Sequence, residues 1–301
     1  MNRSLFFLSI IFCLASCEDF FSSTLEVEPP AHESQIVLHT VVTDADTVAL
    51  AAIGRSVGLL DNIDAQDLFL HDADLALYQG NNKLFDYEPT DPFLGAPSGF
   101  NYKKVMNGPI ATAGQTYTIK GNHSVYGAIT ASQTMPRAIP VTSTLIREDH
   151  GIMEGGERTD QAELTFTDPE GEDNYYEVSL FIVETFEGVD FASGLYSITY
   201  DPNLREAFSN GFLLNDDAFD GRTYKLLLEY TPYWSDQQDV DVYAIFRTVT
   251  RDYYLYTSSV YNQENAEDFG FFAEPVSLHT NVDNGLGIFG MRAETIVKLT
   301  D

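Results

Sequence analysis

Apolar and polar residues alternate with a period of two along most of the chain, the pattern of strands with one buried face. Ile36 to Val42 is a β-branched run, Asp44-Ala45-Asp46 reads as a turn, and Thr47 to Ala51 reads as the returning strand. Leu68 to Tyr78, Tyr117 to Lys120 and Val125 to Ser132 continue the pattern up to Met135-Pro136 and Ile139-Pro140. A second block begins near Leu145. It holds Ala162–Phe166, Tyr175–Glu184, Tyr224–Tyr230, Val240–Val249 and a final strand over Glu294–Leu299. Only between Asp252 and Glu264 does the period lengthen. There Tyr253, Tyr256, Val260 and Tyr261 recur at helical spacing, with Thr250 or Asp252 as the capping residue. The pattern therefore predicts a mainly β protein. It would have two β-sandwich domains, immunoglobulin-like or transthyretin-like, over residues 36–142 and 143–301, with one short helix near the C-terminus.

The first 35 residues do not share this pattern. Arg3 precedes an apolar run from Leu5 to Ala15, broken by Ser9. The run is shorter than the about 17–25 residues a spanning helix needs, but it has the regions of a secretory signal. It ends in Leu14-Ala15-Ser16-Cys17, the order of a bacterial lipobox. Residues 1–16 are thus expected to be removed and Cys17 to receive lipid, the thiol acting as nucleophile. Residues 17–35, polar and acidic with Pro29-Pro30, read as a tether. Glu18-Asp19 directly after the cysteine match either an inner-membrane retention signal or a surface-export signal. Cys13 leaves with the signal and Cys17 carries lipid, so the remaining 285 residues offer no thiol for metal, redox or nucleophilic chemistry.

Charge narrows the partners. The chain has 301 residues with 46 Asp+Glu against 16 Lys+Arg, a net charge of −30 that becomes −31 once Arg3 is lost. Such a surface repels nucleic acid and gives no basic patch for anionic lipid. With 44% apolar and 13% aromatic residues the chain is nevertheless rich enough to build a core.

Catalytic motifs are lacking. There is no GxSxG elbow, and the six histidines (His32, His39, His71, His123, His150, His279) form no close metal pair. No enzymatic activity is expected. Gly285-Leu286-Gly287-Ile288-Phe289-Gly290 fits GxGxxG, but the chain ends eleven residues later, before any acidic ribose partner. It reads as a glycine-rich turn whose glycines take positive φ or allow close backbone approach. Asp168, Glu170, Glu172 and Asp173 crowd one turn, a weak calcium candidate without the spacing of an EF-hand. The run from Asn215 to Gly221 and the pair Asp72 and Asp74 are weaker cation candidates still. Tyr233 and Trp234, with Phe269, Phe271 and Phe272, concentrate aromatics beside loops, and these are the expected partner or ligand surface. No cofactor other than the covalent lipid is expected.

Gly114-Gln115-Thr116-Tyr117-Thr118-Ile119, Thr134-Met135-Pro136, the turn from Asp168 into Asn174-Tyr175-Tyr176, and Asn281 to Gly290 form a recognisable series. With it the chain resembles the DUF4249 family of Bacteroidota lipoproteins. It implies an outer-membrane, surface-exposed lipoprotein that partners a TonB-dependent transporter, but it supplies no catalytic residues. The alternative is a surface protein that captures peptide or glycan alone.

Overall fold

The computed structural model describes residues 32–58, 61–93, 99–152, 156, 158–207, 210–232, 240–267 and 276–299. They fall in two compact units. One contains Val57–Asn62, where the Gly58 N–H donates to the Asp61 carboxylate at 2.8 Å. The other, Ser34–Ser56 with Ile63–Asp301, holds all of the secondary structure that follows.

The first half of the large unit runs through β1 (Ile36–Thr43), β2 (Val48–Arg55), β3 (Asp74–Gln79), β4 (Asn82–Asp86), β5 (Glu88–Pro89), β6 (Tyr102–Val105), β7 (Thr116–His123) and β8 (Gly127–Thr134). Next come β9 (Val141–Ile152), β10 (Arg158–Thr167), β11 (Tyr175–Phe186), β12 (Val189–Leu195), β13 (Ser197–Ile198), β14 (Arg205–Ala207), β15 (Gly211–Asn215), β16 (Thr223–Tyr230) and β17 (Val240–Val249). The helix α1 (Arg251–Glu267) and the strand β18 (Leu286–Lys298) complete it. The fold is mainly β, sandwich-like, with one α-helix near the C-terminus among the described residues.

A ten-stranded sheet, ordered β14-β15-β11-β17-β18-β1-β2-β6-β5 with β12 beside the far half of β11, joins both halves of the chain. Two four-stranded sheets, β4-β3-β7-β8 and β13-β16-β10-β9, enclose the two main cores with it. Period-two alternation explains the layering. Along β18, Phe289, Met291 and Ala293 enter the first core, while Val297 and then Leu299, on the same face, meet the second. Both small sheets therefore cover one face of the large sheet. In the first core Ile36, Leu38 and Val42 of β1 meet Leu77 and Ile119. In the second, the Phe166 ring lies 4.5 Å from Phe246 and 5.2 Å from Tyr176. β18 thus contributes to both cores.

The opposite face of the large sheet carries α1. Tyr253 and Tyr254 bury against Leu213 and Val249 there, with Val41 and Tyr175 alongside. The Thr250 carbonyl accepts the Tyr254 N–H, which starts the helix, but neither expected capping side chain caps it. Thr250 Oγ1 accepts the Met291 N–H, and Asp252 binds His279 and Gln133. Asp252 still lies in the first turn, where the helix dipole favours a carboxylate.

Two sequence expectations need correction. The segment from Gly285 to Gly290 is not a turn throughout: β18 starts at Leu286, well before Glu294, and pairs in parallel with β1. Glycine weakens a strand unless close packing demands it, so its density disguised the strand. The strand expected from Leu68 begins only at Asp74. Upstream, the Asn101 amide and the Tyr102 hydroxyl take the backbone groups of Leu70 and Ala73, which holds this stretch out of the ladder.

Candidate functional site

The helix-bearing face of the large sheet holds a row of charges across three neighbouring strands. Glu177 on β11 is in register with Arg247 on β17, which is in register with Glu294 on β18. Arg247 Nη1 lies 3.5 Å from Glu177 Oε1, and Arg247 Nε lies 3.3 Å from Glu294 Oε2. Opposite charges placed directly across strands attract, and this row alternates them. It is also largely withdrawn from water, the Arg247 and Glu177 side chains being 12% and 10% exposed. Arg292, two positions before Glu294, donates from Nε to Thr43 Oγ1 at 2.9 Å. From α1 the Tyr253 hydroxyl donates to Glu177 Oε2 at 2.9 Å.

This network perturbs its members. Burial, reinforced by the Glu177 charge, pushes the Tyr253 hydroxyl up to about 12. Burial works against the Arg292 charge, but Tyr253 and Glu177 more than offset it and hold its pKa above the ordinary arginine value. Burial lowers the pKa of His39.

Beside the network a cleft of about 640 Å³ opens between the sheet and α1. Its floor is Val41 and Leu50 with Glu177, Arg247 and Arg292. Its sides carry three rings, with His39 centred 6.2 Å from Phe100 and 5.8 Å from Tyr256. An apolar enclosure with a few convergent polar groups is the usual form of a small-molecule site. Sequence reasoning missed it because its charged residues come from three separate strands. The only available signal was charge at inward positions of otherwise apolar strands.

A second cluster gathers Asp168, Asp216 and Asp220, each offering an oxygen within 4.8 Å of the others. Of the four carboxylates predicted for a cation, only Asp168 takes part, and Glu170, Glu172 and Asp173 are exposed. The other two members come from the Asn215–Gly221 segment. Internal donors already serve all three. Tyr176 Oη and the Gly221 N–H donate to Asp168, the Asn174 N–H to Asp216, and the Gly171 N–H to Asp220. The arrangement staples two turns together. Burial, with the Asp168 charge nearby, raises the Asp216 pKa.

A carboxyl with a raised folded pKa binds its proton more tightly folded than unfolded. Its contribution therefore favours folding below the unfolded pKa and is lost as pH rises through the folded value. Asp216→Asn should accordingly raise Tm at pH 7, with a gain that shrinks towards pH 4. Removing divalent cations with EDTA should leave the wild-type Tm unchanged. A melting point that falls on chelation, and is restored by calcium in wild type but not in the variant, would instead make the cluster a cation site.

His279 Nε2 sits 2.7 Å from Asp252 Oδ1, but nearby Ser259 Oγ accepts the His279 N–H and donates to the Tyr256 carbonyl. That hydroxyl is committed to backbone rather than aligned with the ring, so the group lacks the geometry of a nucleophile relay. Cys17 and the aromatics Tyr233, Trp234, Phe269, Phe271 and Phe272 lie outside the described residues. Exposed Asp72 instead binds buried His123 Nε2 at 3.0 Å, holding a turn.

A family model described as a domain of unknown function, DUF4249, matches residues 22–296. No curated protein matches the chain. Among solved structures, a biofilm-associated protein B domain aligns with 88% of this chain and 86% of its own, at 6% identity and a TM-score of 0.19. A likeness that slight carries no argument about fold or function.

Proposed function

The chain belongs to the DUF4249 family, and from that premise we propose that it is a lipid-anchored binding or accessory protein of the bacterial outer membrane. In this reading it is a Bacteroidota surface lipoprotein, held by acyl chains on Cys17 and partnering a TonB-dependent transporter in nutrient uptake. The observation that carries the anchor is Leu14-Ala15-Ser16-Cys17 after an apolar signal. Among the described residues no helix is long and apolar enough to cross a membrane. The net charge of −30 favours solubility and disfavours nucleic acid. The protein acts by binding rather than by catalysis.

Co-purification tests the partnership. The native lipoprotein, isolated from detergent-solubilised outer membranes under conditions that keep other transporter complexes intact, is expected to bring a TonB-dependent receptor with it in near-stoichiometric amount. Recovery of the lipoprotein alone would sink that partnership.

The cleft beside α1 favours a second reading, capture of peptide or glycan at the surface without a stable partner. A concave site with convergent polar groups suits a small ligand better than it suits a flat protein contact.

A further inference from the structure

The cleft between α1 and the open face of the large sheet offers more specific chemistry than a generic pocket. Its volume of about 640 Å³ is enough for one or two sugar rings and falls within the range of small-molecule sites. Its polar groups include the Arg247 and Arg292 guanidiniums, which only donate, the Glu177 and Asp46 carboxylates, which accept, and the Ser179 and Thr257 hydroxyls, which do both. A ligand that satisfies them together must donate and accept through closely spaced atoms, as vicinal hydroxyls do. The apolar groups include the rings of His39, Phe100 and Tyr256, surfaces suited to the C–H face of a pyranose.

Charge excludes the main competitor. Among the lining residues Asp46 and Glu177 balance Arg247 and Arg292, and burial disfavours a charge on the His39 ring. The Arg247 guanidinium faces Glu177 and Glu294, and both carboxylates also act on Arg292, so the positive field is largely offset where a phosphate would need it. The whole chain, at −30, also repels anions. A phosphorylated or carboxylated ligand is therefore disfavoured, and a neutral one is not.

We propose that this cleft binds a neutral carbohydrate, with Tyr256 and Phe100 packing against the sugar ring and Glu177, Arg247 and Arg292 bonding its hydroxyls. The assignment rests on the capture reading of the cleft and names the class of ligand. It does not depend on a transporter partner.

The test uses the full-length chain in a detergent without a sugar headgroup. Binding is measured by calorimetry against neutral hexoses, pentoses and their α- and β-linked dimers, with glucose 6-phosphate and apolar tripeptides as controls. At least one neutral sugar is expected to bind. Tyr256→Ala should weaken that binding by about tenfold through loss of ring contact. Val48→Trp, at a rim position that is 40% exposed, should block the cleft and abolish binding while the melting temperature holds. The assignment is overturned if no neutral sugar binds, if the phosphate ester binds more tightly, or if both variants bind as wild type does. Should tripeptides bind and Val48→Trp block them, the capture reading survives and the carbohydrate class falls. If neither sugars nor tripeptides bind, both fall.

Discussion

Gly287→Ala is expected to destabilise the protein by about 3–5 kcal/mol, a large share of the roughly 5–15 kcal/mol that holds a typical domain. Gly287 has φ +101, a backbone conformation that L side chains rarely adopt. A Cβ built there would sit 1.9 Å from the Leu38 carbonyl oxygen and 2.9 Å from its carbon. The obstacle is backbone rather than a side chain that can swing aside. Leu38 is the register partner of Gly287 in the parallel β1–β18 pair. Relief therefore means prying apart the two strands that join the beginning of the fold to its end. The flanking glycines are crowded too: a Cβ at Gly285 would lie 2.9 Å from the Ile36 carbonyl oxygen, and one at Gly290 would lie 2.9 Å from the Tyr253 ring. Gly194, on exposed β12, has nothing within 4 Å of its virtual Cβ and no positive φ. Gly194→Ala should stay within about 0.5 kcal/mol of wild type. Urea unfolding of the two variants in parallel decides the matter, and equal midpoints would refute the steric account.

Cys17→Ser is expected to move the protein from the membrane fraction to the soluble periplasmic fraction. In the diacylglyceryl-transfer step the cysteine thiolate forms a thioether to the glyceryl carbon of a phospholipid as the phosphate headgroup leaves, and a serine hydroxyl does not replace it. Each buried CH₂ contributes roughly 0.8 kcal/mol and one acyl chain anchors only marginally, so losing every chain removes the attachment outright. Fractionation with labelled palmitate reads both consequences: wild type incorporates label and sediments with membranes, and the variant does neither. A variant that sediments and labels like wild type would rule out Cys17 as the anchor point.

Much of the fold could be read from local pattern. Ile36–Thr43, Tyr175–Phe186, Thr223–Tyr230 and Val240–Val249 are strands close to where alternation puts them. The helix over Arg251–Glu267 includes the whole segment of helical spacing. β9, by contrast, is an exposed edge strand with little apolar alternation to betray it. The GxGxxG match does not form a nucleotide loop, because Gly287 and Gly290 lie inside β18 instead of in a turn that opens a helix. Ile288 and Phe289, within the same segment, are both fully buried.

The candidate site was much less legible. Glu177, Arg247, Arg292 and Tyr253 sit on three strands and a helix. No spacing in the chain marks them as neighbours, and only the register of β11, β17 and β18 brings them together. The acidic cluster has the same cause. Asp168 lies beside Asp216 and Asp220 because β10 and β16 pair antiparallel and place their end turns side by side, with the Asp168 N–H bonded to the Arg222 carbonyl.

The sequence by itself determined the β class, the helix near the C-terminus and the family, because these depend on period, composition and short contiguous motifs. The tertiary structure alone decided that one sheet runs through both halves and that the charged cleft exists. Its deciding contact is the parallel pairing of the first strand with the last, Val37 opposite Leu286 through Thr43 opposite Arg292. A pairing between strands some 250 residues apart leaves no periodic trace in either one. It is fixed by close backbone approach at Gly287 and by which faces are left to bury once every nearer strand has paired.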